Sequence, residues 1–107
     1  MAINIFKNVT VDLTTSGDTV YTTPPGYSGI VLMAQVSNLT GGTVSTSLFV
    51  QKDSSEYSLV TDFEIPSNDA AGLLAGKLVL EAGNQVFASA SANSSAQLTM
   101  SILESQN

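Results

Sequence analysis

Apolar and polar residues alternate with period two through most of this chain, most clearly in its closing third. Val86, Ala88, Ala90 and Ala92 fall on one side of an extended segment, with Phe87, Ser89 and Ser91 on the other. Leu98, Met100 and Ile102 then alternate with Gln97, Thr99 and Ser101. A short apolar run, Leu78 to Glu81, precedes them. Ala82-Gly83-Asn84 and Asn93-Ser94-Ser95 supply the turns, because Gly accepts positive φ freely and Asn tolerates it. Two adjacent strands with matched alternation predict one sheet with an apolar side, which a second sheet must cover.

The same period recurs upstream. Val9, Val11 and Leu13 alternate with Thr10 and Asp12, after a start at Ile3 that reads as an extended arm. Thr19 to Thr23 is a β-branched strand stopped by Pro24-Pro25-Gly26, since proline cannot donate to a central ladder. The strand from Ile30 to Asn38 is apolar on both sides at its start: Ile30, Leu32, Ala34 and Val36 oppose Val31 and Met33. Leu39-Thr40-Gly41-Gly42 suits a hairpin onto Thr43 to Lys52, with Val44, Thr46, Leu48 and Val50 inward. Beyond the loop Asp53-Ser54-Ser55-Glu56, Tyr57, Leu59, Thr61, Phe63 and Ile65 share a phase. Ala70 to Gly76 reads as irregular structure, with one helical turn or a short irregular strand as the alternatives. No helical period is long enough for an α/β arrangement. About eight strands separated by turn signals predict an all-β fold, a single-domain antiparallel β-sandwich wired as a jelly roll. The boundaries follow: residues 1–9 an N-terminal arm, 10–104 the sandwich, 105–107 a C-terminal tail.

Composition narrows what such a sandwich does. Charged residues are 11% of the chain, against a usual share of about 25%, so the surface is polar but weakly charged and a poor guard against association. The net charge is −6, from nine carboxylates and three lysines, with no arginine. Phosphate backbones need Lys and Arg, so a nucleic-acid partner is not expected. No apolar run approaches the roughly 18 residues of a membrane span, so no membrane partner is expected either. The first residues, Met1 to Lys7, lack a basic region followed by an apolar one, so a secretory signal is not expected and synthesis in the cytoplasm is.

Histidine and cysteine are also absent. That removes Ser-His-Asp and Cys-His nucleophile systems, imidazole and thiolate zinc sites, and arginine clamps. No cofactor is expected. One carboxylate pair remains: Asp62 and Glu64 lie two apart on one strand, roughly 7 Å apart on one face and near the range glycosidases use. The plainer reading is a solvated strand face. Asp53, Glu56 and Asp69, in two loops, are an oxygen-rich candidate for calcium without EF-hand spacing. Tyr27 and Tyr57 read as exposed contacts, and Phe49 as core or lying under the arm.

The order of features resembles small virion structural proteins of tailed bacteriophages, of the marine and cyanobacterial type. The resemblance rests on Thr19 to Tyr27, on Ile30 to Asn38, on Ile65-Pro66, on Leu78 to Val86 and on Ser101 to Glu104. In such proteins a Leu-x-x-Gly-Asp turn often precedes the last hairpin; here Asn84 replaces that Asp. The resemblance implies a non-enzymatic sandwich subunit, commonly trimeric, on capsid surfaces or on neck and tail parts; the expected role for this chain is a capsid decoration or cement protein on the capsid surface. Its partners would be the major capsid protein or other virion proteins, and further copies of itself in a homo-oligomer, a trimer in preference. A receptor- or carbohydrate-binding module on a tail, fibre or neck is the alternative, and a small hydrolase using Asp62 and Glu64 a third. The expected subunit contacts are Ile3, Ile5 and Phe6 on the arm, with Tyr27, Val31 and Met33.

Overall fold

The structure, a computed structural model, describes residues 3–107. Among these, nine strands form in chain order: β1 Asn4–Asp12, β2 Asp18–Thr22, β3 Tyr27–Asn38, β4 Val44–Lys52, β5 Ser55–Ile65, β6 Ala70–Gly72, β7 Leu78–Leu80, β8 Gln85–Ala90 and β9 Ala96–Gln106. Their antiparallel pairs are nested. β4 pairs β5, β3 pairs β6 and β7, β2 pairs β8, and β1 pairs β9, as though one long hairpin had been rolled up. Rolling brings β9 against β3 and β8 against β4 as well. The result is a five-stranded sheet of order β1-β9-β3-β6, with β7 also on β3, and a four-stranded sheet of order β2-β8-β4-β5. This is jelly-roll wiring, two Greek keys over eight strand positions. The sixth position is split between β6 and β7, which both lie on the edge of β3 that faces away from β9. The expected fold class therefore holds, with nine strands rather than eight because Ala70–Gly72 is a short strand and not irregular.

Local chemistry explains most of these elements. The β4–β5 hairpin turns on Asp53 and Ser54, both at positive φ (51° and 66°), the type I′ geometry that matches strand twist. Gly83, at φ 86°, completes a turn in which the Asn84 N–H donates to the Glu81 carbonyl at 3.0 Å. Gly17 is fixed twice, by φ 79° and by crowding: a Cβ there would lie 2.5 Å from the Phe87 ring.

Several expectations are corrected by the topology. β8 and β9 are neighbours in sequence but belong to opposite sheets, so their apolar sides face each other across the core rather than sharing one surface. Gly41-Gly42 likewise carries the chain from one sheet to the other and is not a hairpin. Asn4 to Val9 form no free arm, because β1 runs in unbroken register with β9 from Asn4 to Asp12. Met1 and Ala2, the rest of the expected arm, lie outside the described residues. The expected tail at 105–107 is mostly strand, since β9 extends to Gln106. The two-sided apolar start of β3 has a local cause as well. The register against β9 shifts between Val31 and Met33, so Leu32 occupies a bulge and the inward phase moves from Val31 to Ala34 and Val36.

The core lies between the sheets. Val31, Val36, Leu98, Met100 and Ile102 come from the larger sheet and meet Leu48, Val86 and Ala88 from the smaller, with Leu13, Ile65 and Leu80 closing the sides. Asn38 ties one end. Its buried amide donates to the carbonyls of Gly42, Ile65 and Pro66 at 2.8, 3.0 and 3.1 Å, and its Oδ1 accepts from the N–H of Thr40 at 2.9 Å. Those bonds satisfy the backbone where the chain leaves one sheet for the other.

Candidate docking surface

Residues paired across antiparallel strands point to the same side of a sheet. Phe6 pairs with Leu103, Leu103 with Ile30, and Ile30 with Val79. These four side chains form one apolar row across β1, β9, β3 and β7, on the outer face of the larger sheet. At about 4.8 Å between strands the row is about 14 Å long. It is most open at its rims: Phe6 is 76% and Val79 65% exposed, while Leu103 and Ile30 are half-buried between them. Leu32, in the bulge, and Met33 add exposed apolar surface beside it, each 38% exposed. A shallow hollow lined by Phe6, Lys7, Asn8, Leu32, Ser101 and Ile102 lies along the row.

Polar rows flank this one, with Asn4, Ser105 and Ser28 on one side and Asn8 and Ser101 on the other. Among the strand positions facing this side only Asp12 is charged, at the far end of β1. An apolar patch rimmed mainly by uncharged polar groups, with Lys7 at its β1 edge, is the form a protein-docking surface takes.

A buried polar cluster lies beneath the row and fixes its orientation. Glu104 is the inward neighbour of Leu103 and only 1% exposed. Its Oε2 accepts from the Tyr21 hydroxyl at 2.5 Å, and its Oε1 lies 3.2 Å from the Lys7 ammonium. Tyr21 stands on β2 in the opposite sheet, so the pair joins the two layers. Burial first, and then the hydrogen bond and charge of Glu104, hold the Tyr21 hydroxyl well above its ordinary ionisation range. Gly29 faces Glu104 across the β3–β9 ladder, and a Cβ there would come within 3.2 Å of the Tyr21 hydroxyl. A one-residue slip of β9 would turn Glu104 to solvent and Leu103 to the core. The charged pair thus specifies which face carries the row.

The expected contact residues separate into groups. Phe6 and Met33 lie on the outer face together. Ile5, by its pairing with Glu104, is on the inward side at the open edge of β1, and Ile3 precedes that strand with its carbonyl accepting from the Gln106 N–H at 2.8 Å. Tyr27 is half-buried at the start of β3, opposite Gln106. Val31 is corrected outright: it is 1% exposed, because the residue before the bulge points inward. Sequence reading missed Ile30, Leu103 and Val79. Leu103 carried a signal, an apolar residue in the phase otherwise held by Gln97, Thr99 and Ser101.

The candidate chemical groups do not assemble. Asp62 occupies an irregularity of β5 at φ 49°, its N–H donating to Ser47 Oγ at 3.0 Å, whereas Glu64 pairs opposite Ser45. The two carboxylates are therefore not successive members of one regular face. Asp53 and Glu56 lie at the β4–β5 turn and Asp69 beyond the other end of β5. Among the described residues no three acidic, histidine or cysteine side chains gather as a metal site. Phe49 is neither core nor under an arm. It sits half-buried on the outer face of the smaller sheet, its ring centroid 6.3 Å from that of Phe87. Tyr57, 58% exposed, lies on β5 as an exposed side chain.

No family model matches the chain, and no curated protein is similar to it. Among solved structures, one similar chain comes from the work described as "Bacillus endospore appendages form a novel family of disulfide-linked pili". The similarity covers 99% of this chain and 88% of that one, with a TM-score of 0.49 and 7% sequence identity. At that identity it concerns strand arrangement alone.

Proposed function

We propose that the protein is a non-enzymatic structural subunit of a virion, a capsid decoration or cement protein of a tailed bacteriophage. It would act on the capsid surface by docking the outer face of its larger sheet against the major capsid protein or another virion protein. One observation carries this reading, the uncharged apolar row Phe6-Leu103-Ile30-Val79 that spans four strands and stays open at both rims. A sequence without histidine, cysteine or arginine supports the non-enzymatic part. The mechanism is mechanical. Each large apolar side chain taken fully out of water contributes about 1.5–3 kcal/mol before the losses of association, and many copies acting on one lattice favour the assembled state by mass action.

The test is co-sedimentation with particles that lack the protein. Phe6→Ser combined with Val79→Ser is expected to leave the folded protein in the supernatant while the wild type pellets. Equal pelleting of both removes the row from docking. Binding of the wild type to an array of host-surface glycans, without binding to particles, would replace this reading with the receptor-binding one.

A further inference from the structure

We infer that two copies of this chain pair edge to edge through β1, in antiparallel register about a two-fold axis at Asn8, to join their larger sheets into one. The inference goes beyond the docking role above and does not depend on it. It starts from the four open edges of the sandwich. β2 is five residues long with an irregular register, and β6 and β7 are three residues each. β5 is long, but its ladder with β4 is irregular at two points and the strand carries Glu56, Asp62 and Glu64. Bulges, short strands and charges are the devices that keep sheet edges from pairing. β1 carries the fewest of them: no bulge, Lys7 at its middle drawn to Glu104 of its own protomer, and Asp12 at its far end. It is nine residues long, its register with β9 is unbroken, and Lys7 and Asp12 leave it without net charge.

The hydrogen-bond phase of β1 makes it self-complementary. The Ile3 carbonyl accepts from Gln106 and the Leu13 N–H donates to Ala96, so the odd-numbered residues turn their backbone groups toward β9. Asn4, Phe6, Asn8, Thr10 and Asp12 therefore turn theirs to the open edge. Antiparallel pairing centred on Asn8 sets Phe6 opposite the second copy's Thr10 and Asn4 opposite the second copy's Asp12, so all five outward residues find partners. On the inward side Lys7 meets the second copy's Val9. Moving the axis to Lys7 would oppose two ammonium groups, and moving it to Val9 would set Phe6 against a carboxylate and leave Asn4 unpaired. The Asn8 register is the one that uses the whole strand.

Asn8→Pro tests this directly. The Asn8 N–H points away from β9, so proline there removes no bond within the protomer but blocks the axis of the pair. The wild type at tens of micromolar is expected to show a mass about twice 11.1 kDa by light scattering, and Asn8→Pro the mass of one chain with an unchanged circular dichroism spectrum. If the proline variant does not fold, the charge variants decide. Asn8→Asp and Asn8→Lys, each alone, are expected to weaken the dimer at least tenfold, and an equimolar mixture to restore it as a heterodimer. A monomeric wild type, a trimer, a dimer untouched by these substitutions, or a mixture with no recovery would each overturn the proposal.

Discussion

The outer faces of the two sheets carry equivalent rows with opposite finish. On the smaller sheet the row is Thr19, Phe87, Phe49 and Ser58, aromatic in the middle and hydroxylated at both rims. The β1–β2 loop comes down on it, with Gly17 against the Phe87 ring. On the larger sheet the row is apolar to its ends, and its two most exposed members, Phe6 and Val79, are those at the rims. In the first row the apolar members are confined to the half-buried centre, where Phe49 and Phe87 pack on each other and Gly17 on Phe87, so its aromatics belong to the fold's own stability. The second is open at its rims, so Phe6 and Val79 add little to the isolated subunit. A single alternating pattern thus yields one outer face with polar rims and one with apolar rims, and it is the second that the proposed docking uses.

Substitutions should separate the two. The largest effect is expected from Phe87→Ala, which removes the ring packed by Gly17 and Phe49 and should lower unfolding stability by about 2–3 kcal/mol, measured by urea denaturation. Gly17→Ala should follow at about 1–2 kcal/mol, because it forces an L-residue into the left-handed region and against the same ring. On the open row Phe6→Ser should change stability by no more than about 0.5 kcal/mol while still losing particle binding. A stability loss from Phe6→Ser as large as that from Phe87→Ala would erase the distinction.

The cluster beneath the open row is expected to respond to pH. Since the folded protein holds the Tyr21 hydroxyl above its unfolded ionisation value of about 10, the unfolded chain loses that proton first. The contribution is therefore complete below that value and is lost as pH rises from there toward and through the raised value of the folded state. Tyr21→Phe should flatten the decline in melting temperature above about pH 10, at the expense of a lower value at neutral pH where Glu104 loses a donor. The smallest effect belongs to the surface pair Lys52–Glu81, 2.5 Å apart and solvent-exposed. Lys52→Ala should leave the melting temperature unchanged within error.

Much of the fold was legible because it is local. The alternations of β8 and β9, the Gly83 turn and the proline stop after β2 stand where the sequence puts them. What escaped was assembled at long range. Nothing in Gly41-Gly42 says whether the chain turns back in its own sheet or crosses to the other, and β8 and β9 alternate identically whether side by side or face to face. The bulge at Leu32 reverses the phase of β3 halfway, so Val31 reads as outward when it is core. Phe6 was legible as an apolar residue near the start of the chain. Its row was not, because Phe6, Ile30, Val79 and Leu103 come from four strands that only the rolled topology brings into line.

The open face itself can be interrogated chemically, since the chain has no cysteine and an introduced thiol reports alone. Val79→Cys and Thr19→Cys place one thiol at a rim of each row, and both should react with a maleimide in the free protein. On the assembled particle Val79→Cys is expected to be protected and Thr19→Cys to react as before. Equal reactivity of the two on the particle, or protection of Thr19→Cys instead, would contradict docking through the larger sheet.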